Sequence, residues 1–301
     1  MTQRERASIL RELSPPIDVF EPSRQTVPVI FSSPHSGRIY PTALIEASRL
    51  PLGQLRRSED FYVDEIFHPV TRLGAPLVAA RFPRVYLDVN REPYELDPAL
   101  FDERVPDFAN TRSLRVAGGL GTIARIVGDC EEIYRNRMPL AAAFERIERL
   151  HKPYHRAMAE LIQQTRAAFG LAIIIDCHSM PSANVADQPG GGGRPHFVIG
   201  DRFGSSCDSV LVRFLRAELQ QQGYDVALNR PYAGGYITEH YGQPRHGVHA
   251  LQIEINRSLY MDEANLTLSA GYASLQRNIG TVVERLFEWL PAMTGRKAAA
   301  E

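Results

Sequence analysis

Residues Leu171-Ala-Ile-Ile-Ile175 form an unbroken apolar run that follows Gly170 and ends in Asp176-Cys-His178. A strand built from such a run has no polar face to offer water, so it must be covered on both sides. A long helical stretch, Pro139–Phe169, leads into it, with Leu140, Phe144, Ile147, Tyr154, Met158, Leu161 and Ile162 as an approximate apolar stripe. Pro153 predicts a kink or break there, and Gly170 a C-cap. A helix feeding a strand that is buried on both faces is the signature of a parallel α/β sheet.

The stretch Leu251-Gln-Ile-Glu-Ile-Asn-Arg257 is patterned differently. Leu251, Ile253 and Ile255 share one face of a strand, and Gln252, Glu254 and Asn256 share the other. Glu254 is thus a carboxylate on a rigid element, and a buried carboxylate is costly unless something compensates it.

Further strands are predicted at 27–33, 76–81, 84–89, 196–199 and 225–228. Helices are predicted at 42–50, at 59–73 opening with Ser58-Glu-Asp60, around Val210–Leu219, and at 263–290. Residues 92–137 read as a long ordered loop region. The Pro-containing residues 1–26 read as a surface arm or edge element, 27–292 as one domain, and 293–301 as a frayed tail. The alternation of elements predicts a three-layer α/β/α sandwich whose sheet is mixed and mostly parallel, because some connections are too short for helical crossovers.

Charge narrows the function. With 34 basic and 35 acidic residues the net charge is -1, which argues against nucleic acid or an anionic membrane as partner. The charged start Met1–Arg6 has no apolar leader, and no apolar stretch is long enough to span a bilayer. Three scattered cysteines make no disulfide framework, so a cytoplasmic setting is expected. The glycines at 190–193 read as a flexible loop and lack the Lys-Ser/Thr of a nucleotide-binding loop.

The remaining polar candidates are His35 after the first strand, Glu59 and Asp60 at a helix start, His178 after the apolar run, and Glu254. Two histidines and a carboxylate are the ligand set of a catalytic zinc. A further carboxylate that is not a ligand is what such a site needs to move protons, a role that suits Glu254. Spacing leaves other readings open. His151 and His155 stand at i, i+4 and could bind metal from one helix face or could simply pack. His240, His246 and His249 lie in a Gly- and Arg-rich loop that could line a pocket. Gly-x-Ser-x-Gly is absent, which removes a nucleophile elbow, and Cys177 reads as a buried inert thiol. Arg84, Arg91 and Arg202 could hold carboxylates or form surface ion pairs, and Tyr232 could donate a hydroxyl or pack.

Several stretches together resemble the N-formylglutamate amidohydrolases. They are Ser33-Pro-His-Ser-Gly37, Ser58-Glu-Asp-Phe-Tyr-Val-Asp64, Leu87-Asp-Val-Asn-Arg91, Gly119-Leu-Gly-Thr-Ile-Ala-Arg125, Asp176-Cys-His-Ser179, Gly200-Asp-Arg-Phe-Gly204, Pro231-Tyr-Ala-Gly-Gly235 and Gly247–Asp262. The resemblance runs in order from about residue 27 to 290 and extends distantly to the zinc carboxypeptidases. It implies a phosphorylase/hydrolase-like fold and a metal-dependent hydrolase that splits N-formyl-L-glutamate to formate and glutamate in histidine breakdown. It also implies one divalent metal, zinc, on His35, Asp60 and His178, with Glu254 as general base and Asn90 and Arg91 on a substrate carboxylate. Arg84, Arg202 and Tyr232 complete the expected substrate contacts, for an N-acyl acidic amino acid. The carboxypeptidases place a Glu three residues after the first ligand His, where this chain has Arg38, so Asp60, or Glu59 in its place, must supply the carboxylate. The alternatives are a deacylase of another N-acyl amino acid, a carboxypeptidase-like amidase, or a non-catalytic protein that binds an acyl amino acid.

Overall fold

The computed structural model describes residues 2–128, 130–184 and 194–298. The chain begins with α1 (Thr2–Glu12), β1 (Ile17–Phe20), β2 (Val29–Ser33), α2 (Thr42–Ala47), α3 (Leu52–Arg56), α4 (Val63–Phe67) and β3 (Leu77–Ala80). It continues through α5 (Leu114–Ala117), β4 (Ile126–Val127), β5 (Glu131–Glu132), α6 (Leu140–Arg146), α7 (Lys152–Phe169) and β6 (Ala172–Met180). The last elements are β7 (Phe197–Gly200), α8 (Ser209–Gln221), β8 (Val226–Leu228), α9 (Tyr236–Tyr241), β9 (Val248–Asn256), β10 (Met261–Asp262), β11 (Thr267–Leu268) and α10 (Tyr272–Ala298).

Seven strands form one sheet in the order β1-β3-β2-β6-β9-β7-β8. β2 with β6, β6 with β9 and β7 with β8 are parallel, whereas β7 runs antiparallel to β9. This mixed, mostly parallel sheet with flanking helices is the expected three-layer α/β/α fold. β6 and β9 pair over their full lengths, from Ala172 beside Val248 to Met180 beside Asn256. All residues of both strands are buried. Ile173, Ile175 and Cys177 join Leu251, Ile253 and Ile255 in one apolar cluster. By strand alternation, Asp176, His178, Gln252 and Glu254 lie on the opposite face.

The chain divides into two compact units, residues 1–19, 33–60 and 78–160 in one and 20–32, 61–77 and 161–301 in the other. In the second, α4, α8 and α10 cover the apolar sheet face with Phe67, Leu211, Leu215, Ile279 and Leu286, and Phe214 stacks on Trp289 with ring centroids 4.3 Å apart. In the first, α1 buries Ile9, Leu13 just past its end is buried as well, and α6 buries Arg146. No helix of the described residues is long and apolar enough to cross a membrane.

Local physics corrects several sequence expectations. The strand predicted at 84–89 is a turn, in which Pro83 O accepts from Tyr86 N at 2.9 Å and Leu87 N at 3.3 Å. Pro83 presets the turn, overriding the strand-like Val85–Val89 pattern. The helix predicted over 59–73 contracts to α4 followed by a 3₁₀ turn, His68–Leu73, and begins only after Tyr62, whose φ of 57° is left-handed. Pro153 does not break its helix. The helix runs without interruption from Leu140 to Phe169, and the π-turn at Ile147–His151, just before Pro153, is the local distortion that accommodates its ring and missing N–H. β6 carries Asp176 and His178 and runs two residues past the expected end, to Met180. The last helix starts at Tyr272 because Met261–Leu268 forms a hairpin closed by Asp262, whose carboxylate accepts from Ala264 N and from Asn265. The polar arm holds α1 and the edge strand β1, and in the tail α10 runs to Ala298. Gly190–Gly193 lie outside the described residues.

Candidate metal centre

His35 sits just past the end of β2, in the turn Ser33–Gly37. Its backbone carbonyl accepts from Asp60 N at 3.1 Å, which brings the Asp60 carboxylate to the imidazole, Oδ2 lying 3.4 Å from Nδ1. The other ring nitrogen, Nε2, is 2.7 Å from Asp88 Oδ1. Asp88 is fully committed, since Oδ1 also accepts from Asn90 N and Oδ2 from Arg84 Nη2, both at 2.8 Å. Burial alone would raise the Asp88 pKa, but His35, Arg84 and Arg91 together hold it well below the usual carboxylate range. Burial in turn pulls the Arg91 guanidinium down to about 10 against the opposing pull of Asp88, so it stays cationic at neutral pH.

His178 repeats the arrangement within β6. Its Nε2 is 2.8 Å from Oδ2 of Asp176, two residues back on the same strand face, and Asp176 Oδ1 accepts from Ser32 Oγ at 2.8 Å. The register places His178 directly beside Glu254 on β9. Gln252 Nε2 donates to Glu254 Oε1 at 2.7 Å, and Gln252 Oε1 is itself held by Gly235 N at 2.9 Å, which fixes the amide's orientation. Asn256 and Arg257 brace the end of β9. Asn256 Oδ1 accepts from Ser258 N, and Arg257 Nε donates to Ser179 Oγ at 3.1 Å.

His35, Asp60 and His178 are all buried, and each offers one ligand atom within 4.8 Å of the other two. The donor chemistry fits a divalent metal. Each histidine engages a carboxylate through Nε2, which sets its tautomer and leaves Nδ1 as the ligand atom, the arrangement that orients metal-binding imidazoles. This group could hold a metal. Glu59, the alternative ligand, is engaged elsewhere, by Tyr40 Oη at 2.7 Å and by Arg56 Nε at 3.0 Å.

The other predicted residues are more dispersed. Arg84 and Arg91 cluster on Asp88, and Arg91 also donates to the carbonyls of Asn90 and Leu120. Arg202, at a left-handed φ of 53°, pairs with Glu239 at 2.8 Å. Tyr232 is half-buried and packs against Met180 and Val198. The sequence reading missed Asp88, Asp176 and Gln252. For Asp176 and Gln252 a signal exists, because each precedes its partner by two residues on a strand. Asp88 has only its place in the Leu87–Arg91 stretch, since 53 residues separate it from His35.

Gly37 shows how tightly the His35 turn is packed. A Cβ there would lie 2.1 Å from the Phe82 carbonyl oxygen. Gly37→Ala is therefore expected to cost about 1–3 kcal/mol and to displace His35. Metal content per chain, measured beside the melting temperature, should fall in the variant. Full metal retention at unchanged stability would contradict this packing.

The profile of the N-formylglutamate amidohydrolase family matches residues 27–261. The chain is 31% identical to an N-formylglutamate deformylase of Pseudomonas aeruginosa, over 90% of this chain and 97% of that one. It is 30% identical to the corresponding protein of Pseudomonas putida, over 79% of this chain and 83% of that one. The crystal structure of an N-formylglutamate amidohydrolase from Ralstonia eutropha JMP134 superposes with a TM-score of 0.86 at 33% identity, covering 92% of this chain and 99% of that one. The match spans both histidine–carboxylate pairs and the strand that carries Glu254, and on that basis the chain belongs to the N-formylglutamate amidohydrolase family.

Proposed function

We propose that this protein hydrolyses the formyl amide of N-formyl-L-glutamate to formate and L-glutamate, a late step in one route of histidine breakdown. The observation that carries the proposal is the buried His35, Asp60 and His178 group with Glu254 beside His178, in a chain whose relatives are N-formylglutamate deformylases. His35, Asp60 and His178 would hold one divalent metal, zinc, which when bound acts as a Lewis acid toward the formyl oxygen and the attacking water.

The protein's own groups supply the rest. Glu254 takes the proton of the attacking water and returns it to the departing amine nitrogen. Gln252 keeps that carboxylate in one orientation by donating to Oε1. Arg91, with Arg84 or Arg202, pairs with the carboxylates of the glutamate part, beside the Asn90 amide and the Tyr232 hydroxyl. Asp88 and Asp176 are hydrogen-bonded to the Nε2 atoms of their histidines and hold both rings in place.

A panel of N-formyl, N-acetyl and N-succinyl amino acids, assayed with and without chelator, tests the proposal. N-formyl-L-glutamate is expected to be the best substrate, with about one metal per chain and activity that chelation abolishes and zinc restores. Preference for another acyl group would replace the substrate and keep the chemistry. Turnover that survives complete metal removal, or binding of N-formyl amino acids with no turnover even after zinc is supplied, would reject the mechanism.

A further inference from the structure

His151 and His155 have no part in the metal group, yet they reach the segment that connects it to substrate. His151 Nε2 lies 2.9 Å from the carbonyl oxygen of Arg91, and His155 Nε2 lies 2.8 Å from that of Val89. A carbonyl only accepts, so each Nε2 carries a proton and donates it. The two rings lie against one another, centroids 4.4 Å apart, and Tyr154 packs edge-on against His155 at 5.7 Å. His151 is buried and His155 half-buried.

Residues four apart lie on one helix face, so that face presents both donors to two carbonyls of the turn that passes it. Between those carbonyls, Asn90 O accepts from Arg91 Nη1 at 3.0 Å, and Asn90 N donates to Asp88 at 2.8 Å. Val89, Asn90 and Arg91 belong to no strand or helix, and Val89 and Asn90 are buried, so the carbonyls of this segment need side-chain donors.

We infer that His151 and His155 are positioning residues for substrate binding. Together they hold the Val89–Arg91 backbone so that Asn90 and Arg91 present their side chains to a substrate carboxylate. The inference rests on the assignment of Asn90 and Arg91 to that carboxylate. Because the two histidines fix the binding segment and touch no reacting atom, their loss acts on KM and spares kcat.

The experiment compares His151→Leu/His155→Leu, which removes both donors, with His151→Gln/His155→Gln, which keeps an N–H in each place. In the metal-loaded enzyme the Leu pair is expected to raise KM for N-formyl-L-glutamate about 10- to 100-fold, as loss of a charge-assisted contact does, while kcat stays within about threefold. Metal content should not change, and amide exchange over residues 89–92 should quicken. The Gln pair should recover most of the KM. Unchanged KM and exchange in the Leu pair would overturn the inference. So would a fall in kcat that tracks lost metal, which marks a merely structural role. Absence of turnover in the unmodified protein would count against the proposed reaction alone. Amide exchange reads the clamp even then, and each single substitution provides the same reading should the Leu pair fold poorly.

Discussion

Glu254→Gln is expected to keep its full complement of metal and lose about 10²- to 10⁴-fold in kcat, the range that a positioned acid–base group contributes. The substitution is nearly isosteric, and Glu254 lies outside the His35, Asp60 and His178 group, so nothing that holds the metal is removed. The β9 backbone stays paired to β6 on one side and β7 on the other, which keeps the new side chain beside His178. An amide cannot take a proton from water near neutral pH, and it cannot return one to a leaving amine, so both halves of the reaction slow together. KM should change little, because Glu254 is assigned to proton transfer and not to holding the substrate's carboxylates. Formate release, metal analysis and far-UV circular dichroism on the same preparation check the three parts. Near-normal kcat in a metal-loaded variant would remove Glu254 from its role. His178→Gln provides the contrast, with metal and activity expected to fall together.

Much of the frame for this result was legible in the residues. The apolar run 171–175 reads as a central strand and the alternation at 251–257 as a strand inside the sheet, and both lie in its middle. What the pattern could not supply is register. Whether Glu254 stands beside His178, or a residue away on the opposite face, depends on a pairing between strands 76 residues apart in sequence, and only the structure establishes it. The same limit applies to His35 and Asp88, because Pro83 nucleates a turn within a strand-like stretch and that turn delivers Asp88. His151 and His155 were legible as neighbours on a helix face, but the carbonyls they meet lie 60 and 66 residues away. Local chemistry was readable wherever both partners sat on one element, as with Asp176 and His178. It was not readable where a loop delivered one of them.

Arg146 is the extreme of that second kind, and its removal carries the largest expected cost in stability. The side chain is buried on α6, with Nε 2.5 Å from Glu5 Oε1 on α1 and Nη1 3.0 Å from Tyr86 O and 2.8 Å from Tyr134 Oη. The guanidinium carbon lies 4.0 Å from the centroid of the Tyr86 ring, within cation–π reach. Burial alone would lower its pKa, but Tyr134, Glu5 and Tyr86 together raise it above the ordinary arginine value, so the group is a permanent cation. Arg146→Leu would leave Glu5 buried, with the Tyr86 hydroxyl still donating to it but no positive charge beside it. Breaking a buried ion pair from one side costs about 3–5 kcal/mol. A cavity of about 270 Å³ borders both Arg146 and Glu5, and water entering it would soften the penalty toward the lower figure. Glu5→Leu with Arg146→Leu removes both charges and should recover a large part of the loss, since an apolar replacement of the whole pair is often close to neutral. Denaturant titration of the two single variants and the double variant closes the cycle. A coupling between them near zero would mean that α1 is held by apolar packing such as that of Ile9 alone, and that the pair adds nothing to it.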